Sequence, residues 1–195
     1  MGTRGTLRVY VNGELKVRQY NQWDSYPTGQ FQEICEFMRS PTGLIKLAQN
    51  LGNMKFAPSE DIEKLKKGES LGEDKEAEER WLKILIDRDF GSDMLWFIAG
   101  MPHACKWLPD WVDVFSDCIF GETHCDEDLR EEGNYRIDIE CEYENRSYIN
   151  YVKPDTVRAK LSGAFHDTER EFDWGYIPTD EECKAWEDED RGKYE

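Results

Sequence analysis

Asn12-Gly13 falls between two alternating runs, Leu7-Arg-Val-Tyr-Val11 and Leu15-Lys-Val-Arg-Gln-Tyr20. Both central positions of a type I′ turn need positive φ, which asparagine and glycine tolerate, so the pair predicts a β-hairpin. The first strand opens directly behind Met1-Gly-Thr-Arg-Gly-Thr6. That makes Thr3 and Arg4 part of the fold and leaves no room for a leader.

Behind the hairpin comes Tyr20-Asn-Gln-Trp-Asp-Ser-Tyr-Pro-Thr-Gly29, which packs aromatics, amides and a carboxylate into a strand-to-helix transition. Two readings of this box stay open. Trp23 and Tyr26 could supply stacking area and Asn21, Gln22 and Asp24 orientation, with Arg4 or Arg18 meeting Asp24 or an anionic ligand. Alternatively, Asp24-Ser25 forms an Asx-type turn and the aromatics plug the core. The candidate ligand site is Arg4, Asn21, Trp23, Asp24 and Tyr26.

The Gly-Thr-Arg-Gly opening, the hairpin and the Tyr-x-x-aromatic-Asp-Ser-Tyr-Pro box resemble a scattered family of phage, prophage and fungal proteins. The resemblance covers Gly2 to about Gly29. It implies a mobile-element or viral origin and a shared N-terminal scaffold, and it implies no reaction.

Seven Trp, nine Tyr and nine Phe in 195 residues argue for a chain that buries a core, here read as one domain over 1–195. Helical spacing of Phe31, Ile34, Cys35 and Met38 predicts a helix over 30–39, and Leu44 to Leu51 a second one ended by Gly52. Residues 53–74 read as a loop insertion with one helical turn at 59–67, capped by Ser59. A further helix is expected over 75–88. Ser92 should cap another, in which Met94 to Ala99 is apolar all round and therefore buried. Val112, Val114 and Ile119-Phe120 are strand candidates.

Tyr135 to Tyr143 alternates, with Ile137, Ile139 and Cys141 on one face and Asp138 and Glu140 on the other. Asn145-Arg146 should turn it into a partner strand over 147–152, and 157–165 reads as another strand. Thr179 followed by Glu182 is a capping box, so 179–195 reads as an acidic C-terminal helix and tail. Strands at both ends of a helical middle predict an α+β fold, its antiparallel sheet built from the N-terminal and C-terminal hairpins.

Charge decides what kind of partner fits. The formal net charge is −17, with 42 acids. Residues 1–21 are net +3, whereas 122–144 are net −8 and 169–195 net −7. Phosphates would be repelled by most of such a surface, so direct nucleic-acid binding is disfavoured and a basic partner protein fits. Plain solubility is the competing explanation. The partner-facing candidates are Glu140, Glu142 and Glu144 on the solvated strand face, with Glu187, Asp188, Glu189 and Asp190 in the tail.

His103, Cys105, Cys118, His124 and Cys125 put five donors suited to zinc within 23 residues, though without a tight C-x2-C knuckle. Zinc and ordinary core or loop thiols both remain open there. Cys35 and Cys141 sit on apolar faces, and Cys183 is expected to be partly exposed.

Thr3 invites comparison with N-terminal nucleophiles, but removal of Met1 leaves Gly2 at the terminus and gives Thr3 no free amine. No Walker loop, Gly-rich dinucleotide turn, G-x-S-x-G elbow or H-E-x-x-H occurs, and no catalytic constellation is assembled. There is no apolar run long enough to span a membrane. The expectation is a cytoplasmic, phage-type accessory protein that acts by binding, as an acidic nucleic-acid mimic inhibiting a host defence protein. The alternative is a small-molecule-binding or hydrolytic protein with its pocket at the N-terminal hairpin.

Overall fold

The computed structural model describes residues 5–21, 24–56, 59–72, 76, 78–79, 93–100, 107–108, 135–146, 149–152, 157–162 and 169–192. The hairpin forms as its turn chemistry dictates. Strands β1 (Gly5–Val11) and β2 (Glu14–Asn21) pair antiparallel around Asn12 at φ 54° and Gly13 at φ 77°. The register slips between Val9 and Tyr10, leaving Lys16 as the extra residue of a bulge. Lys16 is buried, its ammonium 3.1 Å from the Met54 carbonyl and 2.9 Å from Glu14.

Pro27 to Phe31 makes a turn kinked at Gly29, whose φ of −102° and ψ of −118° are not helical, and leads into α1 (Gln32–Met38), the predicted helix over 30–39. Helix α2 (Pro41–Asn53) starts with Pro41 in its first turn and Ser40 as cap, the Gly43 N–H donating to the Ser40 hydroxyl at 3.2 Å. It runs one residue past Gly52, where its end was expected. Within the expected 53–74 loop lie β3 (Lys55–Phe56) and α3 (Ser59–Lys66).

Helix α4 (Asp93–Ala99) buries Met94, Leu95, Ile98 and Ala99, but Trp96 is 48% exposed, contrary to the all-round burial expected of it. The Trp96 ring meets Phe37 edge-on at 4.8 Å, so it covers the core rim from outside. Asn50 reaches from α2 to the Ile98 carbonyl at 2.7 Å and fixes the two helices together.

The fold is α+β, but the main sheet is mixed and not purely antiparallel. Its order is β2-β1-β5-β8-β9, with β5 (Tyr135–Cys141) parallel to β1, and with β8 (Arg158–Ser162) and β9 (Glu169–Asp173) antiparallel beyond it. Leu7, Val9, Val11, Val17, Ile137, Ile139, Cys141, Ala159, Leu161 and Phe172 form one buried sheet face. Phe31, Ile34, Phe37, Met38, Leu44, Leu47 and Leu51 complete the same core from the helices.

Strand β5 does not fold back on 147–152. Instead β6 (Tyr143–Arg146) and β7 (Ile149–Val152) make a separate two-stranded ribbon that packs on α2, and Asn145-Arg146 is strand, not turn. A short parallel pair joins β3 to β4 (Trp107–Leu108). The remaining strand candidates at 112–120, and most of the 75–88 helix, lie outside the described residues. No helix among the described residues is long and apolar enough to cross a membrane.

Candidate functional site

The box folds into a tightly bonded corner. Asn21, the last residue of β2, donates its amide to the Ser25 hydroxyl at 2.9 Å, and both are buried. Asp24 takes the left-handed conformation at φ 56°, and its carbonyl accepts from Gln30 N–H at 2.8 Å. Gly29 passes so close that a Cβ there would sit 2.1 Å from the Asp24 carbonyl oxygen. The corner is held by these backbone contacts and by the Asn21–Ser25 side-chain bond.

The Tyr26 hydroxyl bonds the Asp24 carboxylate. Burial, Asp24 and then Glu187 push the phenol above its ordinary range. Glu187 comes from α5 (Asp180–Gly192), the C-terminal helix, and accepts from the Thr28 N–H at 3.2 Å and from the Thr28 hydroxyl. Arg191, one turn on, bonds the other Glu187 oxygen. Asp24, Tyr26, Thr28, Glu187 and Arg191 therefore form one polar cluster that docks the last helix on the box.

Beside this corner is a recess lined by Gly5, Thr6, Gln19, Asn21, Ser25 and Gln30, of about 10 Å³. A single water fills that volume. The described residues of the box are bonded to one another and line a recess of water size. Arg4 and Trp23, the other two candidate ligand contacts, lie outside the described residues, as does Thr3.

On the opposite sheet face, Arg8 clasps Asp138 in a bidentate pair at 2.7 and 3.1 Å. The strand register extends this into a transverse row, Arg18, Arg8, Asp138, Lys160 and Glu171. Asp138 was expected on a solvated face and is instead buried. Burial pushes its carboxyl up, and the Arg8 fork pulls against that without cancelling it.

The acidic candidates divide. Glu140 and Glu142 are exposed on and just after β5, and Asp188 and Glu189 are exposed on α5. Glu187 and Asp190 are buried, which corrects their placement in a solvated tail. Their helix face meets the core: Glu187 holds Thr28, while Asp190 lies 3.7 Å from Arg170. Of Glu144 the structure describes the strand and not the side chain.

Sequence reasoning missed β9 altogether. Along its outer side runs an open groove of about 770 Å³, lined by Arg158, Glu169, Glu171, Phe172, Tyr176 and Trp186 among others. Trp186 stacks on Phe172 at 5.6 Å and 7°, with the Arg170 guanidinium 5.0 Å from its ring. Tyr176 stands 57% exposed at the rim. Arg158 and Lys160 pair with Glu171 and Glu169 at 3.6 and 2.7 Å across the sheet.

No group of three His, Cys, Asp or Glu suited to hold a metal occurs among the described residues. His103, Cys105, Cys118, His124 and Cys125 all lie outside them. Comparison with family models, curated proteins and solved structures found no match.

Proposed function

We propose that the protein acts by binding, offering the acidic groove between β9 and α5 to a basic, extended segment of a partner protein. The observation that carries this reading is the groove itself. It combines carboxylates at Glu169 and Glu171, for which a cationic occupant would compete with their partners Lys160 and Arg158, a half-exposed aromatic at Tyr176, and a strand that pairs on one side only among the described residues. A strand edge offers backbone hydrogen bonds, the acids select a cationic occupant, and the aromatic adds stacking area. The phage-type resemblance of the first 29 residues extends the proposal to an accessory inhibitor that occupies a host protein's nucleic-acid site. Charged strand edges also keep sheets from aggregating, and that is the reading to beat.

The test uses a Lys/Arg-rich extended peptide and a neutral peptide of equal length, with binding read by fluorescence anisotropy at low and near-physiological salt. The basic peptide should bind and weaken with salt. Glu169→Gln with Glu171→Gln should lower its affinity by about tenfold or more, since rim charge pairs act together. Glu60→Gln with Glu69→Gln, exposed on α3 and the turn after it and not lining the groove, should change it less than about twofold. Equal losses from both pairs would mean diffuse charge attraction and would sink the groove as a site.

A further inference from the structure

Trp186 on α5 shows how this molecule holds a guanidinium. The Arg170 guanidinium lies 5.0 Å from the Trp186 ring centroid, and the same group pairs with Glu189 at 3.0 Å and approaches Asp190 to 3.7 Å. A ring face beside a carboxylate suits arginine, whose planar cation stacks and forks at once, better than the compact ammonium of lysine.

The same two ingredients recur at the rim of the groove, at Tyr176. Its ring is 57% exposed and fixed at both ends: the Tyr176 N–H donates to the Asp173 carboxylate at 3.1 Å, and the hydroxyl bonds Glu182. The Gly175 N–H donates to that same Asp173 oxygen at 2.8 Å, so the carboxylate closes the turn that carries the ring. A ring already held this way loses little rotamer freedom when a cation stacks on it. Carboxylates therefore stand at both ends of the ring, and Glu171, two residues before Asp173 on β9, lines the same groove. Arg158 is opposite Asp173 in the strand register and 3.6 Å from Glu171, with both members of that pair more than half exposed. An exposed, solvent-screened pair of this kind exchanges partners at small cost.

We propose that Tyr176 is the arginine-selective anchor of the groove: an arginine of the partner segment stacks its guanidinium on the Tyr176 ring and pairs with Asp173 or Glu171, as Arg170 does on Trp186 within the chain. This rests on the groove reading above and narrows its occupant from basic to arginine-bearing. Lysine would keep the charge attraction and lose the fork and most of the stacking. Charge attraction thus belongs to the acids, and the choice between the two cations belongs to the aromatic.

Two extended peptides of equal length and charge are compared, one carrying arginine and the other lysine at the same positions, with binding to the full chain read by fluorescence anisotropy. The arginine peptide should bind about threefold more tightly or better. Tyr176→Leu should erase that preference, weakening the arginine peptide about threefold and the lysine peptide less than about twofold. Tyr176→Phe keeps the ring and should keep the preference; circular dichroism checks that both variants are folded. Equal affinity of the wild type for the two peptides would overturn the anchor without reference to any variant. If both peptides then still weaken on Glu169→Gln with Glu171→Gln, the groove reading survives that loss. A preference for arginine that persists in Tyr176→Leu would also overturn the anchor, by placing selectivity elsewhere on the surface. Failure of both peptides to bind would take down the groove reading and the anchor with it.

Discussion

Gly29 is the residue whose side chain the fold most plainly forbids. Its hydrogen faces the Asp24 carbonyl, and a Cβ would sit 2.1 Å away from backbone that cannot rotate aside. Gly29→Ala should therefore destabilise by more than about 2 kcal/mol, measured by urea unfolding, because both chain segments must shift. A loss below about 0.5 kcal/mol would show that the corner relaxes freely. Arg8 makes a different point. Removing it strands a buried carboxylate, so Arg8→Met alone should cost about 3 to 5 kcal/mol, whereas Arg8→Met with Asp138→Leu should recover most of that. If the double variant is as unstable as the single one, the pair is not what holds that face. Neither side chain was legible as buried beforehand, because alternation marks Arg8 and Asp138 as outward and cannot say that outward is covered.

At the scale of elements, local chemistry was read well and pairing was not. The Asn12-Gly13 turn and the Thr179 capping box appear as their residues require, with Thr179 N–H to the Glu182 carboxylate at 2.8 Å and Glu182 N–H to the Thr179 hydroxyl at 3.3 Å. Thr179→Ala should cost about 1 kcal/mol, visible as a melting temperature lower by roughly 2 to 4 °C. The Tyr176 hydroxyl and the Thr179 backbone hold the Glu182 carboxyl below its ordinary range. Its contribution is accordingly present above the usual carboxylate pKa and is lost as pH falls through the lowered value. The gap between wild type and Glu182→Gln should narrow in acid, and a constant gap would clear the carboxylate charge of the effect. By contrast, β9 has one buried apolar residue, Phe172, in Glu-Arg-Glu-Phe-Asp, and a period needs more than one point. The partner of β5 was equally hidden: its alternation fixes a core face and leaves open which strand lies beside it.

For the molecule as a whole, the core contains thiols that resist ionisation. Cys141 donates to the Tyr10 carbonyl at 3.9 Å, and burial pushes its thiol from about 9 up to about 12. A group with a higher pKa folded than unfolded supports the fold fully below its unfolded value and loses that support as pH rises through the folded one. Melting temperature should thus fall between about pH 9 and about pH 12. Cys141→Ala should make that fall shallower, and identical slopes would clear Cys141 of the effect. The α+β class was legible because strand-like and helix-like periods occupy separate stretches. The arrangement of the sheet was not, because it is settled by a contact far along the chain, Gly5 beside Tyr135. That pairing has a kinetic consequence. The first hairpin is complete by Asn21, yet the strand that covers its inner edge is about 114 residues later, roughly six to twenty seconds of ribosome time at ordinary elongation rates. Throughout that interval the bonding edge of β1 awaits its neighbour, so a nascent chain stalled before Tyr135 should be the species that chaperones hold and proteases cut.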